Sequence, residues 1–88
     1  MTDFIKIAQI LCFFKTGEWP SATCLVSEIF GTKKESANVT YWNYRHGRRA
    51  LKIEEAKKLA TLTGLPAEVL INPEGFDIAD VVSKKIRE

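Results

Sequence analysis

The side chains best suited to chemistry lie between residues 36 and 49, where the chain reads S-A-N-V-T-Y-W-N-Y-R-H-G-R-R. Asn38, Thr40 and Asn43 carry hydrogen-bonding groups that suit the edges of bases, since an asparagine amide can pair with adenine through both of its polar atoms. Arginines follow directly, and guanidinium groups bind phosphates. Polar side chains beside a group of arginines therefore predict a helix that contacts the bases and the backbone of DNA.

Signals at both ends of this segment predict a helix over about residues 36–46. Ser36 can cap its start, because a serine hydroxyl accepts a backbone N–H that has no partner within the helix. Gly47 can adopt the left-handed conformation that closes a helix. The predicted helix is short, with about three turns.

Two orientations of this helix are open. If Tyr41 and Tyr44 face the core, the polar side chains lie on or near the outer face. If Val39 and Trp42 are the anchors instead, the outer face rotates, but the two asparagines remain largely outside. In either case we expect at least one of the three bulky aromatic residues to be exposed, because a small domain cannot bury all of them.

The basic residues are concentrated around this helix. Residues 33–63 carry eight Lys or Arg against three Glu, a net charge of +5, whereas residues 1–32 carry −1 and residues 64–88 carry −2. A positive patch of this kind attracts polyanions.

Composition excludes several other classes of protein. The chain has 88 residues and 45% hydrophobic content, enough for one domain with one small core. Cys12 and Cys24 lie in apolar helical patterns, which predicts buried, reduced thiols in a cytoplasmic protein. His46 is the only histidine, and no catalytic or metal-binding spacing surrounds it. Glu54 and Glu55 are adjacent and diverge on a helix. We therefore expect no enzyme activity, cofactor, metal or small-molecule substrate.

The N-terminal run from residue 4 to residue 14 is apolar, as a signal peptide would be. Asp3 and Lys6 flank or interrupt it, no small-residue cleavage site follows, and it is too short to span a bilayer. The sequence predicts a core helix extending to about Lys15, and no membrane partner. Its apolar stripe has the i, i+3, i+4 spacing of a buried face, widened by Ile10 and Phe13. The stripe comprises Phe4, Ile7, Ala8, Leu11, Cys12 and Phe14.

Four more helices are predicted from capping residues and periodicity. They span residues 22–30, 51–63, about 66–71 and about 77–87. The third helix of the chain is the one over 36–46, and the helix after it should bury Ile53, Ala56, Leu59, Ala60 and Thr63. The chain should form a single domain, with residues 72–88 as a C-terminal extension. The apolar stripe of the last helix either packs on the domain or meets a second copy of the chain; it comprises Ile78, Val81, Val82, Lys85 and Ile86.

Residues 22–71 resemble the helix-turn-helix domain of the Cro and phage-repressor family. The matching features are a helix rich in small residues that ends in glycine, a helix ending in R-H-G-R-R, and the run I-E-E-A-K-K-L-A-T-L-T-G-L-P-A-E-V-L. The resemblance implies an all-α, lambda-repressor-like bundle of five to six short helices. It also implies binding in the major groove of double-stranded DNA and a homodimer on a near-palindromic site.

The resemblance places the base-contacting positions on Asn38, Val39 and Asn43, with Thr40 between them. The interval from residue 31 to residue 47 is longer than is usual in the family, so either the turn is expanded or the helix begins earlier. The positions that contact phosphate correspond to Lys33, Lys34, Arg48 and Arg49, and Arg45 lies beside them at the end of the helix.

The sequence thus predicts a sequence-specific DNA-binding transcriptional regulator of the Cro or repressor type, from a phage or prophage. The alternative is a helical protein-interaction module or antitoxin-like partner that keeps the fold without contacting DNA. In that case Tyr41, Trp42 and the last helix would form a protein-binding surface, since exposed aromatic residues are favoured at interface hot spots.

Overall fold

The computed structural model describes residues 2–88, and within that range the chain is all-α, with no strand. This confirms the predicted fold class. Six helices follow in order, with a 3-10 turn between the last two: α1 Phe4–Thr16, α2 Ala22–Phe30, α3 Lys34–Arg45, α4 Ile53–Thr63, α5 Ala67–Ile71, the turn Pro73–Gly75 and α6 Ile78–Arg87.

Side-chain caps fix the starts of three helices. Asp3 accepts hydrogen bonds from the backbone N–H groups of Ile5 and Lys6 at 3.1 Å each, at the start of α1. Ser21 caps α2 and Asp77 caps α6 in the same way. Each cap satisfies backbone donors that have no partner inside the helix, a contribution of about 1 kcal/mol per cap.

The hydrophobic core draws buried side chains from α1 to α5, and α6 covers it from one side. The apolar residues of α6 are partly buried against this core, so in the monomer its stripe packs on the domain. The largest fully enclosed side chains come from four helices; they are Ile5, Val26, Ile29, Leu59 and Val69.

The predicted stripe of α1 is wrong at its C-terminal end. Phe14 is 62% exposed and Phe13 is 45% exposed, so these two residues of the widened stripe are not buried. The reason is the size of the core: the last buried residue of α1 is Leu11, and the following turn extends beyond the core. Phe14 instead borders an open cleft of about 440 Å³, which Leu62 and Ile86 also line.

Two other burial predictions are corrected. Cys24 is exposed, because α2 turns that side of its first turn to solvent, and Cys12 is only partly covered. Ile53 is 59% exposed because α4 begins there rather than at Leu51, which leaves this residue in the first turn, outside the core. Among residues 2–88, no helix combines the length and the hydropathy that crossing a bilayer requires.

Candidate nucleic-acid interface

A tight connection joins α2 to α3. It consists of Gly31, Thr32 and Lys33, and Gly31 adopts a left-handed conformation with φ of 68° that closes α2. Ser27 in α2 donates a hydrogen bond to the carbonyl oxygen of Thr32 at 2.6 Å, which holds the connection against the helix. The two helices therefore have a fixed relative orientation.

Helix α3 begins at Lys34, two residues before the predicted start, and Lys33 occupies the N-cap position. The prediction that Ser36 caps this helix is therefore wrong, because Ser36 lies inside the first turn. Of the two explanations for the long interval between residues 31 and 47, an earlier start of the helix is the one observed. The earlier start also places Glu35 in α3.

Two tyrosines fasten α3 to the N-terminal end of α1. The Tyr44 hydroxyl accepts a hydrogen bond from the Phe4 N–H at 3.1 Å and donates one to the carbonyl oxygen of Thr2 at 3.2 Å. Tyr41 donates to the Asp3 carboxylate at 2.6 Å. Tyr44 is buried and lies 5.5 Å, centroid to centroid, from the ring of Phe30, whereas Tyr41 is half-buried. Of the two predicted orientations, the one with the tyrosines inward is observed.

These contacts perturb both phenols. Burial raises the pKa of Tyr44 to about 12, although the hydrogen bond from the Phe4 N–H opposes this rise. Burial also raises the pKa of Tyr41 well above its usual value, and the Asp3 carboxylate adds to the increase because a second negative charge beside it is unfavourable. Both hydroxyls are therefore protonated at neutral pH and can donate the hydrogen bonds just described.

The outer face of α3 carries two apolar residues beside the exposed Glu35. Val39 is 65% exposed and Trp42 is 41% exposed. Since successive residues of an α-helix are rotated by about 100°, Val39 and Trp42 lie about 60° apart and the two asparagines lie about 40° beyond them on either side. Asn38 is exposed, and its side-chain oxygen lies 3.5 Å from the Thr23 hydroxyl, whereas Asn43 is half-buried.

The predicted base-contacting residues thus divide into two pairs. Asn38 and Val39 are exposed on α3, and Thr40 and Asn43 are partly covered. Trp42 shares the outer face, although it is not among the predicted base-contacting residues. The sequence did contain a signal for its outward position. Trp42 follows Tyr41 and precedes Tyr44 by two residues, so on a helix with both tyrosines inward it points away from the core.

Trp42 has an ordered surrounding of polar and cationic groups. Its ring stacks on the ring of His46 with centroids 4.0 Å apart and an angle of 19° between the planes. His46 Nδ1 donates to the carbonyl oxygen of Trp42 at 2.8 Å. The Arg48 guanidinium carbon lies 5.0 Å from the centre of the Trp42 ring, within the range of a cation–π interaction.

The two arginines after Gly47 have different surroundings. Arg48 is exposed, and its backbone N–H donates to the carbonyl oxygen of Asn43 at 2.8 Å. The Arg49 guanidinium forms a 3.0 Å ion pair with the Glu55 carboxylate and lies 4.8 Å from the centre of the Phe30 ring. Glu55 also accepts the Lys52 N–H at 2.8 Å, which caps α4. Arg49 therefore ties the connection between α3 and α4 to both α2 and α4.

The other predicted phosphate-contacting residues are exposed at the two ends of α3. Lys33 and Lys34 lie at its N-terminus, and Arg45 lies in its last turn, where its guanidinium carbon is 4.6 Å from the centre of the Tyr41 ring. These cations therefore lie at or just beyond the two ends of the helix that carries the exposed polar residues, and Arg48 follows its C-terminal end.

Within residues 2–88, no group of three or more His, Cys, Asp or Glu side chains is placed to hold a metal ion. No protein-family model, curated protein or solved structure matches this chain. The likeness to the Cro and phage-repressor family therefore depends on the residues and spacing of the chain alone.

Proposed function

We propose that this protein binds double-stranded DNA in a sequence-specific way, with α3 in the major groove, and acts as a transcriptional regulator of the Cro or repressor type. The observation that carries the proposal is the outer face of α3, where exposed side chains suited to base edges lie between cations at both ends of the helix. The tyrosine contacts to α1 hold that face outward.

The dimensions of α3 support this proposal. Its 12 residues give a length of about 18 Å, whereas the major groove is about 12 Å wide. Cations at the two ends of the helix can therefore contact the phosphate backbones that border the groove while the centre faces the bases. Two helices joined by a short glycine-containing connection are also the arrangement that presents such a helix in many DNA-binding proteins.

The side chains divide between two roles. Lys33, Lys34, Arg45 and Arg48 would contact phosphates, which gives affinity without sequence preference. Asn38 would supply base discrimination, since a bidentate asparagine–adenine contact contributes roughly 1–3 kcal/mol. The outer-face position of Val39 gives it access to the bases as well. A homodimer on a near-palindromic site would double these contacts.

A second candidate function follows from a separate exposed surface. Phe13, Phe14 and Trp19 form an aromatic cluster at the far end of α1, with Phe13 and Trp19 centroids 6.0 Å apart. Exposed apolar groups of this kind mark protein-interaction surfaces. A protein-interaction module would use this aromatic cluster and need not contact DNA.

An unbiased selection from random double-stranded DNA, followed by fluorescence anisotropy on the recovered site, tests the proposal. We expect a defined site with two-fold symmetry, and binding that weakens as salt increases. Asn38→Ala should reduce affinity for that site about tenfold while leaving non-specific binding unchanged. Asn72→Ala, which removes an exposed asparagine outside α3, is the matched control and should bind normally. An absence of DNA binding at low salt would favour the interaction module.

A further inference from the structure

An apolar pair lies on the outer face of α3, and Val39 is one of its two members as well as one of the predicted base-contacting residues. Val39 and Trp42 lie side by side on the outer face, and both are exposed. The exposed Glu35 shares that face, one turn nearer the N-terminus of α3. Neither Val39 nor Trp42 belongs to the hydrophobic core, so the folded monomer gains little burial energy from Val39, which is 65% exposed. A β-branched residue in an exposed helical position also lowers helix propensity slightly. Folding therefore offers no explanation for a valine at this position.

In the major groove, only thymine presents a methyl group to a bound helix. This C5 methyl group is the largest apolar group on the base edges there, beside the hydrogen-bond donors and acceptors. We propose, on the basis of the function proposed above, that Val39 and Trp42 form an apolar contact site for thymine methyl groups. The preferred DNA would then contain thymines that face the centre of α3.

The neighbouring side chains fit the same kind of DNA. Asn38 and Asn43 lie on either side of the apolar pair, about 40° away around the helix. Asparagine pairs with the edge of adenine. The outer face therefore carries amide groups suited to adenine and apolar side chains suited to the methyl group of thymine. The two asparagines can therefore contact adenines in the base pairs next to, or opposite, the contacted thymines.

The surroundings of Trp42 make it a rigid contact. The His46 ring stacks on it at 4.0 Å, and the Arg48 guanidinium lies 5.0 Å from its centre. A side chain held in place before binding loses less conformational entropy on binding. The same arrangement places a cation beside the apolar pair, near the position of the DNA backbone.

Replacement of single thymines by deoxyuridine tests the inference directly. Deoxyuridine lacks the C5 methyl group but keeps every hydrogen-bonding group of thymine. The wild-type protein should lose about fourfold in affinity at each contacted thymine, the effect of one buried methyl group. Val39→Ala should abolish the sensitivity at one position and Trp42→Ala at another. Ile71→Ala, which shortens an exposed aliphatic side chain outside α3, should keep the wild-type sensitivity at every position.

Two results would overturn the inference, and they can be told apart from failure of the proposed function. If the protein binds its selected site but no deoxyuridine substitution changes the affinity, DNA binding stands and the methyl contact is wrong. If sensitivity persists unchanged in both Val39→Ala and Trp42→Ala, other residues contact the methyl groups. If the protein binds no DNA, the proposed function fails and the inference fails with it.

Discussion

The two tryptophans of this protein lie in exposed regions that differ in almost everything except exposure. Trp19 is 50% exposed in the connection between α1 and α2, and Trp42 is 41% exposed on α3. Each has a cation near its ring: Lys6 Nζ lies 5.5 Å from the centre of Trp19, and the Arg48 guanidinium carbon lies 5.0 Å from that of Trp42. Apart from these cations, the residues around the two tryptophans differ in charge and polarity.

Trp19 belongs to the aromatic cluster, next to an open cleft, in a segment whose net charge is −1. Trp42 lies between asparagines, in a segment whose net charge is +5. The tyrosine contacts lie at the N-terminal end of α1, whereas Phe13 and Phe14 of the aromatic cluster lie about 14 Å away along the helix. An exposed aromatic residue alone does not identify a partner. The surrounding charge and polar groups distinguish a candidate DNA surface from a candidate protein surface.

The largest expected effect concerns the ion pair that supports the α3 region. Arg49→Ala should lower the free energy of unfolding by roughly 1.5–3 kcal/mol, because it leaves the nearly buried Glu55 carboxylate without its charged partner. Lys15→Ala, which removes an exposed cation at the aromatic-cluster end of α1, should have no measurable effect. Urea denaturation followed by circular dichroism gives both values. If Arg49→Ala keeps wild-type stability and only loses DNA affinity, Arg49 contacts phosphate, as the family resemblance implies.

Replacement of each tryptophan by alanine tests the comparison of the two regions most directly. Trp42→Ala should weaken binding to the selected DNA site about tenfold. The substitution removes an apolar contact to the bases and the ring that positions Arg48 by a cation–π interaction. Trp19→Ala should leave the affinity unchanged. Fluorescence anisotropy measures both constants at the same salt concentration. The reverse pattern would place DNA, or another partner, on the aromatic cluster.

Single-tryptophan variants provide an independent readout of the same contrast. In Trp19→Phe, the remaining fluorescence comes from Trp42, and it should change on addition of DNA. In Trp42→Phe, only Trp19 remains, and its emission should stay constant in the same titration. A DNA-dependent signal from Trp19 would contradict the separation of the two regions.

Much of the fold could be predicted from the sequence, because the signals are local. Capping residues and apolar periodicity predicted helices close to their observed spans, and the predicted stripes of α4 and α6 largely face the core. Burial at the ends of helices could not be predicted in this way. Phe14 follows the helical spacing of a core residue but lies beyond the extent of the small core. Periodicity indicates the direction of a side chain and says nothing about whether another helix is present to cover it.

The presence of α3 was predictable from the sequence, but its start and the contacts of its side chains were not. The polar and arginine-rich segment identified α3, and the start of that helix was placed two residues too late because Ser36 is a better capping residue than Lys33. Arg48 and Arg49 are adjacent and identical in type. Only the tertiary structure separates them, since Arg49 meets Glu55 from α4 and Phe30 from α2.

A smaller effect is expected at the tyrosine contacts that join α3 to α1. The folded pKa values of Tyr41 and Tyr44 are raised above the unfolded value of about 10. The two protonated tyrosines therefore contribute fully to the free energy of unfolding below about pH 10. This contribution decreases as the pH rises from there toward the folded pKa, which is about 12 for Tyr44. Urea midpoints measured at intervals between about pH 8 and pH 11 should show a decline only above about pH 10.

Tyr41→Phe distinguishes the loss of stability caused by ionisation of Tyr41 from losses caused by other groups at alkaline pH. It should cost about 1 kcal/mol at neutral pH through loss of the hydrogen bond to Asp3, and it should make the alkaline decline shallower. An alkaline decline of unchanged steepness in this variant would show that Tyr41 does not link α3 to α1 in solution.

The smallest expected effect concerns the two cations beside the tryptophans. If Arg48 contacts a phosphate, Arg48→Ala should reduce the slope of log K against log salt by about 0.9, the value for one released counterion per contact on duplex DNA. Lys6→Ala should leave that slope unchanged, because Lys6 lies beside Trp19 in the other region. The two variants remove the same formal charge from the same protein, so a general effect of net charge would change both slopes equally. A difference confined to Arg48 would therefore place the DNA backbone at the α3 surface, and equal slopes for the two variants would remove the electrostatic distinction between the two regions.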